Sequence, residues 1–160
     1  MSAVTTEKAK SEKPLPLDRW VSYRFGLIAT RMGAIAAPVY VGRHKLSTPT
    51  WRALAVVARF EPLSAAMLSE HTRLDPSKVS RAIETLVRRK LLTRDKDPAD
   101  QRRAVLRLTA RGREMYCDIE SIVVRLEAEM TATLDAEEKK ALRSALDKID
   151  AQIARHRAAG

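Results

Sequence analysis

The sequence predicts a mainly α-helical fold built on a winged helix-turn-helix, with a two-stranded β-wing and long helices at either end. Three observations lead there. A short capped helix from Ser64 and a second one opening at Asp75-Pro76 stand a few residues apart. Two short β-prone segments flank the polar, turn-rich stretch DKDPADQRR at 95–103. Two apolar stripes of helical spacing follow, Met115 to Leu134 and Leu142 to Ile153.

The elements can be justified in order. Residues 1–16 are polar without periodicity and read as a disordered tail. From Leu17 to about Arg43 the chain is apolar-rich and predicts a long helix, which Pro38 should kink or end. Thr48 and Pro49 suit the N-cap and first position of a helix to about Arg59, with Leu54, Val57 and Ala58 on its buried face. Glu61-Pro62 breaks it. Ser64 caps a short helix to about His71, with Met67 and Leu68 as its apolar points. Asp75 caps the next helix, which runs to about Lys90 with Val79, Ile83 and Leu86 as its core stripe. Leu91–Arg94 and Ala104–Thr109 predict a hairpin, with Leu106 and Leu108 on one face and Val105, Arg107 and Thr109 on the other. Thr109 caps a long helix striped by Met115, Ile119, Ile122, Val123, Leu126, Met130 and Leu134. Asp135 and Glu138 are spaced as a capping box before the last helix.

Composition narrows the function classes. Of a net charge of +10, residues 71–113 carry thirteen basic and five acidic side chains, whereas residues 114–160 are net negative. A concentrated basic segment is an electrostatic footprint for a polyanion. Aromatics are only 4% of the chain, which disfavours recognition by many stacking rings. A single cysteine, Cys117, excludes an internal disulfide and fits a reducing, cytoplasmic setting. The longest uninterrupted apolar run, Ala34 to Val41, is far short of a bilayer span, so no membrane role is expected.

The helix from Ser77 is apolar on one side. At about 100° per residue its other side presents Ser77, Arg81, Glu84, Thr85 and Arg88, flanked by Lys78 and Ser80. A helix fits the major groove of duplex DNA, where arginine pairs with guanine and serine or threonine reach base or phosphate. Ser77, Lys78, Ser80 and Arg81 are the candidate base readers. Arg73, Lys78, Arg88, Arg94 and Lys96 are the candidate phosphate contacts. By itself such a helix favours the plainer reading of a solvated amphipathic one. The hairpin tip adds Arg102 and Arg103, and arginine on a narrow ribbon can enter a minor groove. Asp100 is placed to orient Arg102 by a paired contact.

This order of elements resembles the MarR family of bacterial regulators. Thr50-Trp51-Arg52-Ala53-Leu54 looks like the family's second-helix signature, and Ser77-Lys78-Val79-Ser80-Arg81 with Leu86 its recognition helix. Asp97-Pro98-Ala99-Asp100-Gln101-Arg102-Arg103 and Leu106-Arg107-Leu108-Thr109-Ala110-Arg111-Gly112 look like its wing and the start of the next helix. The likeness spans roughly residues 18–155. Lys90 departs from it, standing where the family often has glycine. The resemblance implies a homodimer that binds a pseudo-palindromic operator, in most cases as a repressor. The long stripes agree, since the winged module is too small to bury them unaided. The chain then divides into a tail (1–16), an N-terminal dimerisation helix (17–46), a winged DNA-binding module (47–109) and C-terminal dimerisation helices (110–157).

Many members of that family bind small aromatic acids or their thioesters. The matching candidates are Trp20, Tyr23, Arg24, Arg31, Met32, Tyr40 and Trp51, since arginines beside aromatics suit an anionic aromatic effector; the same residues equally suit plain packing. His44, His71 and His156 lack metal-ligand spacing, and no nucleotide loop, nucleophile triad or HExxH is present, so neither cofactor, metal nor enzymatic activity is expected. Cys117 reads as a small buried filler. Two other readings remain open: a nonspecific or architectural DNA-binding protein without an effector, and a protein-interaction module with a basic surface.

Overall fold

The computed structural model describes residues 16–96 and 104–158. The chain divides into two compact units, Met1–Ile35 and Ala36–Gly160. In the first, a 3-10 turn at Leu17–Arg19 precedes α1 (Val21–Ala37), whose last two residues fall in the second unit. Its apolar side chains Val21, Tyr23, Ile28 and Ile35 are exposed. The predicted single helix is divided: α1 stops at Ala37, and Pro38–Arg43 is π-helical. Pro38 has no amide hydrogen to donate, so the regular ladder breaks where it stands. The stretch Val21–Arg43 is also long and apolar enough, at mean hydropathy 1.3, to cross a membrane by length and composition. The longest uninterrupted run understates it, because scattered Ser, Thr, Gly and Arg residues interrupt runs while the average stays high.

In the second unit α2 (Thr48–Phe60), α3 (Ala65–Thr72) and α4 (Pro76–Arg88) pack together. They bury Ala53, Leu54, Val57, Leu68, Val79, Ala82, Ile83 and Leu86. Local caps start the helices as their sequences require. Ser47, rather than Thr48, caps α2, its Oγ accepting from the Thr50 amide at 3.3 Å. Ser64 accepts from the Met67 amide at 3.3 Å. Met67 itself is 42% exposed, and of the two expected core points on α3 only Leu68 is buried. Arg52 on α2 donates to the Thr72 carbonyl at 2.8 Å and closes α3 against it.

The turn from α3 to α4 is pinned from within. Ser69 Oγ donates to the Leu74 carbonyl at 2.8 Å, and buried Thr72 donates to the Leu68 carbonyl at 2.7 Å. Arg73 takes a left-handed φ of 54°. The end of α4 is a Schellman turn: the Leu91 amide donates to the Leu86 carbonyl and the Lys90 amide to the Val87 carbonyl, both at 2.9 Å. Lys90 holds φ 58°, so the family's glycine geometry is kept by a lysine, at a strain of about 1–2 kcal/mol.

The wing pairs β1 (Leu92–Lys96) with β2 (Ala104–Leu108) antiparallel, Leu92 opposite Leu108 and Lys96 opposite Ala104. Leu63 adds a bridge to Leu106 that the sequence did not announce. Val105 and Leu106 are both buried, so both sheet faces are covered there, while Leu106 and Leu108 share one face and Val105 and Arg107 the other as expected. Glu61 accepts from the Leu108 amide at 2.5 Å and pairs with Arg113.

Thr109 accepts from the Gly112 amide at 2.9 Å and starts α5 (Ala110–Met130). A Cβ on Gly112 would lie 2.0 Å from the Leu91 carbonyl oxygen, so only glycine fits. Leu134 falls beyond α5, in the link to α6 (Ala136–Ala158). Both arms of the Asp135–Glu138 capping box form, at 2.8 and 2.9 Å. Asp118 on α5 meets Arg43 at 3.4 Å and His44 Nε2 at 3.2 Å. Cys117 is exposed rather than buried, because it lies off the stripe led by Ile119.

Tyr40, Trp51 and Tyr116 form a ring stack, with centroids 5.9 and 5.8 Å apart. The Tyr116 hydroxyl donates to Glu120. Burial, then that bond to a carboxylate, pushes Tyr116 up to about 12 from an ordinary 10.0.

Two outcomes follow. Gly112→Ala is expected to lower stability by about 3 kcal/mol, since rigid backbone must shift; an unchanged urea midpoint would contradict the close approach. The fold favours neutral Tyr116, so its contribution is complete below about pH 10 and is lost as pH rises towards 12. Tyr116→Phe should remove that part of the alkaline decline in a pH series of thermal melts, and an identical decline in both proteins would refute it.

Candidate nucleic-acid interface

The solvent face of α4 collects most of the expected readers. Ser77, Lys78, Ser80, Arg81 and Arg88 are all exposed, while Thr85 is half-buried. The opposite face is sealed into the core through Val79, Ala82, Ile83 and Leu86. One-sided burial thus aims the basic side chains outward.

The readers are not equally free. Asp75 accepts from Ser77 Oγ at 2.6 Å and from the Lys78 amide at 3.0 Å, and Lys78 Nζ lies 3.1 Å from its other oxygen. The Ser77 hydroxyl, then the Lys78 amide and ammonium, hold the Asp75 carboxyl well below the usual carboxylate range. Further along, Ser80 Oγ donates to Glu84 Oε1 at 3.3 Å. An ionised carboxylate can only accept, so both serines spend their hydroxyl protons on it and turn lone pairs outward. Among the described residues, Arg81 and Arg88 have no hydrogen-bond or ion-pair partner of their side chains.

Arg73 is exposed on the left-handed turn between α3 and α4. Arg94 and Lys96 are exposed on β1. Asp100, Arg102 and Arg103 lie outside the described residues. A shallow groove between α3, α4 and β1 is lined by Ala65, Ala66, Ser69, Ser80, Glu84 and Arg94. Sequence reasoning named Asp75 as a cap without its hold on Ser77 and Lys78. The signal was present in its acidic cap followed by Ser and Lys within three positions.

The expected effector residues fall in two units. Trp20, Tyr23, Arg24, Arg31 and Met32 belong to the first, where all but half-buried Met32 are exposed. Tyr40 and Trp51 belong to the second, where they stack on each other. No group of three or more metal-ligating side chains occurs among the described residues.

A model of the MarR family matches residues 44–103, the span from the approach to α2 through the wing. No curated protein matches the chain. A MarR-family transcriptional regulator from Silicibacter pomeroyi shares the fold at a TM-score of 0.78 and 27% identity, over 86% of this chain and 92% of that one. A MarR/EmrR family regulator from Acinetobacter sp. ADP1 is similar at 0.79 and 20% identity, over 88% and 99%. BpsR of Bordetella bronchiseptica, whose DNA binding is regulated by 6-hydroxynicotinic acid, is similar at 0.74 and 24% identity, over 86% and 97%. Residues 44–103, from the approach to α2 through the wing, thus match the MarR family, and the chain shares the winged helix-turn-helix fold of MarR-family transcriptional regulators.

Proposed function

We propose that the protein binds a pseudo-palindromic operator in duplex DNA as a homodimer and represses by occluding a promoter. Each subunit takes one half-site, with α4 in the major groove and the wing at the neighbouring minor groove. The observation that carries this reading is the one-sided burial of α4, which leaves Arg81 and Arg88 exposed and unpaired among the described residues. Arg73, Lys78, Arg94 and Lys96 supply phosphate contacts around it.

Self-association is supported by apolar surface in each unit. Trp20, Val21 and Ile28 are about half exposed at the N-terminal end. On α6, Leu142, Leu146, Ile149 and Ile153 are 37–53% exposed along one stripe. Such stripes are costly to leave in water. A small anionic effector that releases the DNA is supported by the regulation of BpsR, a relative of similar fold.

Fluorescence anisotropy on a duplex selected from a random library tests the DNA reading. Affinity is expected to fall steeply with salt. Arg81→Ala should cost about 1–3 kcal/mol on the selected duplex and less on random duplex. Aromatic acids should release the wild-type complex. Equal affinity for selected and random duplex would favour an architectural DNA-binding protein instead. For the dimer, Ile149→Glu places a charge on the α6 stripe. Sedimentation should show a lighter species than wild type, with operator affinity down at least about tenfold; a dimer of unchanged affinity would refute the α6 interface.

A further inference from the structure

We propose that Glu84, with Ser80, is a specificity determinant that selects a cytosine in the operator half-site. The inference rests on the reading of α4 as the major-groove helix. Glu84 is the only acidic residue within α4 and lies at the centre of its exposed face, with Arg81 three residues before and Arg88 four after. Both arginines are within the reach of helical ion pairs. Arg94 lines the same groove. Among the described residues none of the three forms an ion pair with Glu84, whose carboxylate takes only the hydrogen bond from Ser80 Oγ, at 3.3 Å.

A carboxylate without a cation partner on a surface that faces phosphates weakens binding to every sequence, so it selects among sequences only through a contact that restores the loss. Its chemistry defines that contact. Glu84 only accepts, and Ser80, its proton committed, accepts beside it. In the major groove cytosine offers an amino donor. Guanine and thymine offer acceptors where a carboxylate would be repelled, and adenine sets its N7 acceptor beside its amino group. The acceptor pair therefore matches cytosine and penalises the other three bases. The seven-residue advance from Ser77 to Glu84 is about 10 Å along the helix, which places this cytosine about three base pairs from the position nearest Ser77.

The test is selection from a randomised duplex pool followed by sequencing, run on wild type, Glu84→Gln, Glu84→Ala and Ser80→Ala. Glu84 is exposed, so these variants should keep the wild-type melting temperature. Wild type should enrich cytosine at one position of each half-site, and replacing that base should cost about tenfold in affinity. Glu84→Gln should shift that position towards adenine, and Glu84→Ala should erase its preference while the rest of the selected sequence stands. A wild-type protein that selects an operator, with the same base at every position in all four proteins, would overturn the role of Glu84 alone. A wild-type protein that selects no sequence would overturn it together with the operator reading.

Discussion

Val79, Ala82, Ile83 and Leu86, each at most 5% exposed, press α4 against Ala53, Leu54 and Val57 of α2. Each large apolar side chain sealed in this way contributes about 1.5–3 kcal/mol. The same contact fixes the rotation of α4 about its axis. Turning the helix by one residue position would bring a charged side chain towards the core, and an unpaired buried charge costs far more than any packing gain. The outward aim of Arg81, Glu84 and Arg88 is thus a consequence of what lies behind them.

The wing and the long helix α5 are tied to that same core. Leu91 and Leu106 are buried as completely as the helix residues, and Leu63, just past the end of α2, pairs with Leu106. Thr109 Oγ1 donates to the Lys90 carbonyl at 2.8 Å just where the Schellman turn ends. Gly112 leaves room for the Leu91 carbonyl against the first turn of α5. The end of the reader helix, the foot of the wing and the start of α5 therefore share one junction.

Charge on the reader face is arranged as donors and acceptors in turn. Asp75 and Glu84 each accept a hydrogen bond from a serine hydroxyl, which leaves Ser77 and Ser80 with acceptor lone pairs beside the donors Lys78, Arg81 and Arg88. On a DNA-contacting helix a uniformly basic face would grip phosphate regardless of sequence, whereas alternating donors and acceptors would discriminate among bases. Lys90, exposed just past the end of α4, holds a left-handed position that glycine would occupy without strain.

The hydrophobic faces of α2, α4 and α5 and the caps of α3, α4 and α5 were legible in the sequence, because each depends on residues within a turn or two of one another, whereas the cap of α2 falls on Ser47 rather than Thr48. Asp75-Pro76 and the Asp135–Glu138 box announce helix starts by local hydrogen bonds alone. The wing, too, is written in its turn-rich centre, though the tip with Asp100, Arg102 and Arg103 is beyond the described residues. What only the tertiary structure decided involves partners distant in the chain or a choice among neighbours. Leu63 finds Leu106 across more than forty residues, Glu61 finds Leu108 and Arg113, and Gly112 finds the Leu91 carbonyl. Exposure of Met67 and Cys117 likewise depends on which face the neighbouring helices cover, and periodicity ranks faces without naming their covers. The pairing of Glu84 with Ser80 rather than with either arginine is a matter of rotamers, which sequence spacing permits equally and only packed geometry selects.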